Sequence, residues 1–452
     1  MEANILTDNC GDRRLNNAIN MNIIILLMGR LVSLFGSGIY SFAMSMYILS
    51  KTGSSMSFSI NMALIVLPMV LFSPISGVIA DKIDKKKMIV SMDILSGILI
   101  LALYGVSVIN GLQIINIYIA TFLLSVCTVF FDTPMQASIP SLVNKEKLTK
   151  INSWNEAVSS ITRISGPFIG GVVFALIDIR LFLLVNGISF ILSGISEMFL
   201  NFNVEKMINE ELINQENNLI KDYEDEEINE VVEKKSIITN LKEYWGNFVE
   251  GIKYIKNEKW LATLVMYFLA FNFFVGMGIT LPGNYIMMNV IGFSPKIIGI
   301  INMAFPAATL VTAMVISVLP EAKSIYRKLV FGLSVTSISI IIIGMLIIPG
   351  LVNLSMTGYF IVFIILYAGT SMALTTFNIP ISVTLQKMVP ADKRGRVFSI
   401  LPMITLAAMP VAFLLSGFMM EYLPVFITPI LAGSIMLILT LSISRKKEIK
   451  EI

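Results

Sequence analysis

Five ionisable side chains lie within long apolar runs of the sequence, where a charge needs a specific reason to be. They are three acids and two arginines: Arg30, Asp93, Asp132, Glu156 and Arg163. Such groups cost about 2.5 to 3.5 kcal/mol each inside a bilayer on insertion scales, so they mark proton relays, ion pathways or paired charges. If all five were ionised, the set would carry one net negative charge. One carboxyl among them is therefore the natural place for a proton that binds and leaves.

Asp132 is the first candidate for that carboxyl because of an internal repeat. A gapless shift of 246 residues lays the segment 131–171 on 377–417 and places Asp132 on Asn378. Asparagine keeps the shape and the hydrogen bonding of aspartate but cannot titrate, as expected where only one copy handles protons. The alternative is that Asp132 is a structural hydrogen-bond acceptor beside Pro134.

The remaining charges have more than one interpretation. Asp93 is a further candidate for proton coupling, but we expect it to be a fixed ion-pair partner, with Arg30 as the candidate cation. Glu156 and Arg163 are seven residues apart, so they share a helix face and could pair through a neighbouring helix. Glu156 could instead lie in the interfacial zone of a membrane. Two further acids fall at the ends of apolar runs and are expected to be solvated: Glu197 and Glu421.

Composition indicates the class of protein. The 452 residues are 56% hydrophobic and 14% charged, with a mean hydropathy of +0.81. Soluble domains have roughly 45–50% apolar and about 25% charged residues, so this is an integral membrane protein. The first 20 residues are polar and contain no apolar core, so we expect no signal peptide and an uncleaved first span.

Several kinds of chemistry are excluded or disfavoured. Histidine is absent, and Cys10 and Cys127 fall in different environments, so we expect no His relay, disulfide framework or metal site. No G-x-x-x-x-G-K-[ST] sequence is present to bind ATP. No nucleophile and base are recognisable as a pair. We therefore expect no enzyme, no catalytic residues, no cofactor and no nucleic-acid partner.

The chain predicts an all-α membrane protein with twelve transmembrane helices, since each span needs about 20 apolar residues. The apolar runs begin near Met21, Phe58, Met88, Leu112, Trp154, Leu181, Trp260, Ile297, Leu329, Thr357, Val397 and Pro424. The short loops of one side hold Lys51, Arg180 and Lys296. The other side holds fourteen cations: Lys82, Lys85, Lys86, Lys87, Lys145, Lys147, Lys150, Lys323, Arg327, Lys328, Lys387, Lys393, Arg394 and Arg396. The positive-inside rule therefore places the second set and both termini in the cytoplasm.

The repeat predicts two pseudo-symmetric bundles of six helices, a transporter architecture. The predicted boundaries are a cytoplasmic leader (1–20), the first bundle (21–202), a cytoplasmic linker (203–257), the second bundle (258–444) and a cytoplasmic tail (445–452). The linker carries twelve acids against five lysines from Glu205 to Glu243 and is expected to be disordered in its first part. From Ile238 its apolar residues follow helical spacing, which predicts an amphipathic helix along the membrane surface or under the bundle. An extension of the seventh span is the alternative.

Two motifs carry a family resemblance. The loop from Gly77 to Lys87 resembles the G-x-x-x-D-R/K-x-G-R-R/K signature of the major facilitator superfamily, with Asp84 in place of a glycine. The resemblance implies a conformational latch at Gly77, Asp81, Lys82, Lys85, Lys86 and Lys87. The second half keeps only an acid, Glu321, in the corresponding loop.

The second motif is Ser165-Gly166-Pro167-Phe168-Ile169-Gly170-Gly171, which resembles the G-P-x-x-G-G element of the antiporter branch of that superfamily. Small residues let helices approach closely, and proline frees a carbonyl, so the motif could equally be ordinary helix packing. With the P-x-x-x-R-G-R stretch at 390–396, the chain resembles the macrolide-efflux and enterobactin-exporter branch. The resemblance implies a proton-coupled antiporter that works as a single chain in the bacterial cell membrane and exports drug-like or macrolide-like amphipathic molecules by alternating access.

The alternatives to that function are a siderophore exporter and a lipid or lysolipid transporter without clear proton coupling. For any of them an apolar cavity between the bundles is expected. The candidate lining residues are Phe271, Phe274, Met277, Met372, Phe377 and Asn378, although filler that faces lipid is the commoner role of such side chains.

Overall fold

The computed structural model of the chain describes residues 2–80, 83–143, 145–202, 237–318 and 325–446. The described residues are helical with connecting turns and contain no strand. In the first half the helices are α1 (Glu2–Thr52), α2 (Ser55–Ala80), α3 (Lys85–Asn110), α4 (Ile114–Leu142), α5 (Lys145–Leu176) and α6 (Ile179–Glu197). The residues predicted as a leader are the start of α1, whose apolar part begins at Ile19.

The second half begins with an amphipathic helix, α7 (Ile237–Asn257), which packs against α12 and against the start of α8. The helices that follow are α8 (Lys259–Val290), α9 (Pro295–Val318), α10 (Ile325–Met345), α11 (Met356–Met388), α12 (Ala391–Leu406), α13 (Met409–Tyr422) and α14 (Ile427–Ile443). Helix α8 contains two π-helical segments, Gly276–Thr280 and Ile286–Val290. The predicted disordered part of the linker, 203–236, lies outside the described residues.

Eleven helices of the described chain are long and apolar enough to cross a membrane, with α12 and α13 counted as one. The predicted twelfth span corresponds to α14, an apolar helix of 17 residues. The helices end where turn residues interrupt the apolar runs. At Gly53 and Gly292 the turns need backbone with φ of 64° and 85°, which glycine adopts without strain.

The two ends of the bundle can be named by their turns. The Gly53 end holds the turns at 53–54, 111–113, 177–178 and 291–294, and the Lys85 end holds the turns at 83–84 and 389–390. At the Gly53 end the Tyr47 hydroxyl donates to the Leu112 carbonyl at 3.4 Å. At the Lys85 end the Asn22 amide donates to the Leu142 carbonyl at 3.1 Å.

The first half contains two separate apolar cores. The core near the Lys85 end includes Leu26, Ile89, Phe131 and Leu200. The core near the Gly53 end is built from the same helices further along and includes Tyr40, Ile100, Leu124, Leu183 and Phe190. Between the two lies a layer of buried polar side chains. A third, continuous core fills the second half and extends into the first half at Met46, Leu49, Phe58 and Ala63.

Candidate functional site

An ion pair lies in the polar layer of the first half. The Arg30 Nη2 atom on α1 is 3.1 Å from Asp132 Oδ1 on α4, and it also donates to the Ser159 hydroxyl on α5 at 3.5 Å. The Arg30 Nε and Nη1 atoms and the Asp132 Oδ1 atom are buried and have no hydrogen-bond partner, so the pair is held by charge and not by an aligned hydrogen bond. The Asp132 side chain is 33% exposed and accepts from the Gln136 amide at 2.9 Å. Asp132 therefore compensates the buried charge of Arg30 while it stays within reach of solvent.

Asp93 occupies the same layer, but it does not pair with Arg30 as expected. Both of its carboxylate oxygens lie near the Ser33 hydroxyl, at 2.8 and 2.7 Å. Ser33 follows Arg30 by three residues on α1 and is therefore displaced by about 60° around the helix, since successive residues are about 100° apart. The arginine thus faces α4 and α5, whereas the serine faces α3.

Glu197 is the functional candidate that sequence reasoning missed. It was expected to be solvated at the end of a span, but it is fully buried, and neither of its carboxyl oxygens has a hydrogen-bond partner. A Cβ atom built on Gly29 would lie 2.5 Å from Glu197 Oε1, so the carboxyl occupies the space beside that glycine. The physical reason is that α1 extends past the end of α6 and covers it. Gly29 on α1, one residue before Arg30, leaves room for the carboxyl, but the sequence alone does not show that these two helices meet there.

Glu156 and Arg163 do not join the buried layer. They pair directly on α5, with Arg163 Nη2 at 3.9 Å from Glu156 Oε2, and their side chains are about 70% exposed. The predicted five-residue cluster is therefore wrong in its membership. Arg30, Asp93 and Asp132 lie in the polar layer of the first half. The third acid of that layer is Glu197 and not Glu156.

A cavity of about 470 Å³ lies between the two halves, next to Arg163. Helices α5, α9 and α11 form its walls. Its lining is mostly apolar with a few polar groups: Ser160, Arg163, Ile164, Phe305, Pro306, Thr309, Leu310, Ala313, Leu374, Thr375 and Asn378. Asn378, the repeat counterpart of Asp132, is the one predicted cavity residue among them.

The other predicted cavity residues lie elsewhere. Phe271, Met277 and Phe377 are buried in the core of the second half, where Phe377 packs against Phe268 with ring centroids 6.4 Å apart. Phe377 and Asn378 are neighbours on a helix and so point about 100° apart, which is why only one can face the cavity. Phe274 packs edge-to-face on Phe273, and Met372 is 44% exposed outside the described cavity lining. The packing of the second half therefore places Phe271, Met277 and Phe377 in the core and not in a cavity wall, while Phe274 and Met372 lie outside the lining of this cavity.

The glycine and proline motif of α5 lies where the two halves cross. A Cβ atom on Gly171 would be 2.5 Å from the Pro295 carbonyl oxygen, and one on Gly299 would be 2.6 Å from the Pro167 carbonyl oxygen. Gly170 instead faces Phe42 on α1, and Gly166 faces open space. Backbone therefore meets backbone between α5 and α9, and the contact lies on the Gly53 side of the cavity.

Hydrogen bonds also join the halves at the Gly53 end. Glu421 Oε2 on α13 accepts from the hydroxyls of Ser54 and Ser55, each at 3.0 Å, and from the Met56 amide at 3.2 Å. The Gly53 carbonyl accepts from Tyr285 and Asn289 of α8, at 3.3 and 3.1 Å. Glu421 is exposed, as expected, but it caps the first turn of α2 in the other half, where a carboxylate is stabilised by the helix dipole.

The basic loop of the Lys85 end is described in part, since Asp81 and Lys82 lie outside the described residues. Asp84 caps α3 by accepting from the amides of Lys86 and Lys87 at 3.0 and 3.3 Å. Its φ of −52° needs no glycine, so the departure from the signature is accommodated. Lys85 Nζ donates to the Ala137 carbonyl on α4 at 3.2 Å, and Gly77 faces open space. Glu321, the acid of the second copy, also lies outside the described residues.

Comparison with known sequences agrees with this architecture. The family model of the Major Facilitator Superfamily matches residues 26–342. Macrolide efflux protein A of Streptococcus pyogenes is 23% identical over 94% of this chain and 95% of its own length. The multidrug efflux pump Tap of Mycolicibacterium fortuitum is 26% identical over 34% of this chain and 39% of its own length.

Solved structures share the fold. A bacterial homologue of the iron transporter ferroportin, in an inward-facing state, aligns with a TM-score of 0.65 at 15% identity, over 94% of this chain and 99% of that one. A peptide transporter of the POT type aligns with a TM-score of 0.64 at 15% identity, over 93% of each chain. The repeat, the helices that could cross a membrane and the family match lead to one conclusion: the chain belongs to the major facilitator superfamily of multi-pass membrane transporters.

Proposed function

We propose that this protein is a secondary exporter in the bacterial cell membrane, which moves drug-like or macrolide-like amphipathic molecules outward in exchange for protons. The cavity supports such a substrate because its walls are mostly apolar, with one cation and a few hydrogen-bonding groups to orient a ligand. The names of the relatives from Streptococcus pyogenes and Mycolicibacterium fortuitum support an efflux direction.

In the proposed topology twelve spans cross the membrane, with α14 as the last, and the Lys85 end with both termini faces the cytoplasm. The distribution of lysine and arginine among the short loops supports this orientation. The cavity would then be loaded from the cytoplasmic side while the contacts at the Gly53 end close the outer side. Rocking of the two halves around the crossing of α5 and α9 would expose the cavity to the outside. The protein is proposed to act as a single chain.

The observation that carries proton coupling is the Arg30–Asp132 pair. Asp132 is the partner that solvent can reach, and Arg30 has no other anion at its guanidinium among the salt bridges of the described residues. A proton on Asp132 would neutralise it and leave Arg30 buried without compensation, which is costly. Proton binding and the present packing of α1 against α4 therefore oppose each other, which is the requirement for coupling protonation to a conformational change.

The experiment is efflux from cells that express the protein, with a panel of macrolides and dyes, in the presence and absence of an uncoupler. Asp132→Asn should abolish uncoupler-sensitive efflux while the protein remains in the membrane. Asp178→Asn is the matched control, because Asp178 is an exposed cap of α6 and asparagine also caps helices. Efflux that is unchanged in Asp132→Asn would contradict the coupling role. Efflux that persists when the proton gradient is collapsed would instead favour a lipid or siderophore transporter without coupling.

A further inference from the structure

A second pair of acids contacts α1 on the face of Gly29 and Ser33, about 60° to 100° around the helix from Arg30. Glu197, the last residue of α6, is fully buried, and both of its carboxyl oxygens are without a hydrogen-bond partner. Its Oε1 atom fills the space beside Gly29, on the α1 face that also carries Ser33. The carboxyl is thus enclosed at the interface of α1 and α6, close to a second acid on α3.

That neighbour is Asp93, which is 1% exposed. A Cβ atom built on Gly194, one turn before Glu197, would lie 3.3 Å from the Asp93 Cβ atom, so the close packing of α3 and α6 at this level brings the two acids near each other. The Ser33 hydroxyl lies within 2.8 Å of both Asp93 oxygens and donates to that carboxylate, whereas the Ser193 hydroxyl of α6 donates to the Gly29 carbonyl at 3.3 Å. Asp93 therefore has a donor that Glu197 lacks.

The other titratable groups around the pair do not compensate a second negative charge. Arg30 projects from α1 toward Asp132, and the thiol of Cys127 faces Asp93 from α4. The salt bridges of the described residues leave Glu197 out. Two neighbouring carboxyl groups in a water-poor interior cannot both ionise at moderate cost, and an ionised carboxylate without a donor is the more costly of the two.

We propose that Glu197 and Asp93 form a proton-binding site. Glu197 holds the proton, and Asp93, which accepts a hydrogen bond from Ser33, is the ionised neighbour. The site is distinct from the Arg30–Asp132 pair, since Arg30 faces α4 and α5, whereas Gly29 and Ser33 face the two acids of α6 and α3. Proton binding here is a property of the folded protein. That this proton is exchanged during the transport cycle rests on the proposed function.

The test is infrared difference spectroscopy on the purified full-length protein in lipid nanodiscs. At neutral pH the wild-type protein should show the carbonyl band of a protonated carboxyl group, which shifts in D2O. The band should be absent from Glu197→Gln and displaced in Asp93→Asn. It should be retained in Glu156→Gln, the same substitution at an exposed site, and in Asp132→Asn. A band unchanged in both Glu197→Gln and Asp93→Asn, or no such band in the wild type, would overturn the proposal.

Thermal stability gives a second, independent readout. A carboxyl that keeps its proton in the folded state but releases it on unfolding makes the folding equilibrium constant fall about tenfold for each pH unit above the ordinary pKa of glutamate, about 4.3, for as long as the folded protein keeps that proton. Glu197→Gln should remove this slope, and Glu156→Gln should keep it. A melting temperature that instead rises when sodium chloride replaces choline chloride, only when Glu197 is present, would mean that the pair binds a metal cation and would overturn the proposal.

The two proposals can fail separately. Unchanged efflux in Asp132→Asn together with an intact Glu197 band would remove the coupling role and leave the buried site. Loss of efflux in Asp132→Asn without any protonated carboxyl band in the wild type would support the coupling role of Asp132 and overturn the Glu197 site.

Discussion

The Arg30 guanidinium and the Asp132 carboxylate lie 3.1 Å apart across the interface of α1 and α4, and they differ in their access to water. The arginine side chain is 5% exposed, whereas a third of the aspartate side chain is exposed. This asymmetry decides what each substitution should do, because an unpaired charge is costly only where water cannot replace its partner.

Asp132→Asn should lower the stability by about 1–3 kcal/mol, since the buried arginine then keeps only neutral hydrogen-bond acceptors. Combining it with Arg30→Met removes the unpaired charge, so the double variant should recover most of the melting temperature while efflux stays absent. Thermal melting of the purified variants and efflux in cells would check this. A double variant as unstable as Asp132→Asn alone would show that the charge on Arg30 is not the cause.

The crossing of α5 and α9 can be tested with two alanine substitutions in one motif. Gly171→Ala should hinder closure of the Gly53 end, because the added methyl group would meet the Pro295 carbonyl oxygen at 2.5 Å. Overpacking of this kind costs about 1–3 kcal/mol, which corresponds to a loss of the closed population by about 5-fold to 150-fold. Gly166→Ala is the matched control, since no atom lies within 4 Å of its Cβ position. Efflux rates of the two variants at equal membrane abundance give the comparison, and equal rates would contradict the prediction.

Removal of the carboxylate at Glu421 should favour opening of the Gly53 end. In Glu421→Ala the first turn of α2 loses an acceptor for two hydroxyls and one amide, and loss of such a cap costs about 0.5–2 kcal/mol. Accessibility of a cysteine placed at Thr52 to a membrane-impermeant maleimide, in a background without the native cysteines, should therefore rise. Glu421→Gln retains an acceptor oxygen and should show a smaller increase. Identical labelling in all three proteins would exclude a closing role for this contact.

Phe377 should behave as a core residue and not as a substrate contact. Phe377→Ala removes a side chain that is 2% exposed and packs against Phe268, so the melting temperature should fall by the equivalent of about 3–5 kcal/mol. Met372→Ala, one and a half turns away on the same helix but 44% exposed, should leave the melting temperature within about 0.5 kcal/mol of the wild type. If Phe377→Ala instead kept its stability and changed only the set of exported compounds, the assignment to the core would be wrong.

The spans and the doubling of the chain could be predicted because both are properties of the linear sequence. Runs of apolar residues give the helices, and the shift that places Asp132 on Asn378 gives the second bundle. The family follows from the basic loop after Gly77 and the motif at Gly166. Sequence could not show the position of Glu197, because depth in the bundle depends on how far α1 extends beyond the end of α6.

The direction in which each side chain points around its helix was harder to predict. The partner of Arg30 depends on the rotation of α1, which sends residues 30 and 33 to different neighbours. The cavity residues depend on how the second half packs on itself, which takes Phe377 inward and leaves its neighbour Asn378 at the interface. A periodic apolar pattern identifies a buried face, but in a bundle where both lipid and core are apolar it does not distinguish between them.

The polar layer that divides the first half into two cores has a mechanical consequence. Apolar side chains above and below it interlock, and α3 and α6 also pack closely through it at Gly194, whereas α1 is held to its neighbours there by one ion pair and a few hydrogen bonds of Ser33, Ser159 and Ser193. Such directional contacts can be exchanged for others without opening a void, whereas interlocked side chains cannot slide past one another. We therefore expect α1 to shift along this layer against its neighbours, whereas the second half, whose core is continuous, should move as one rigid body.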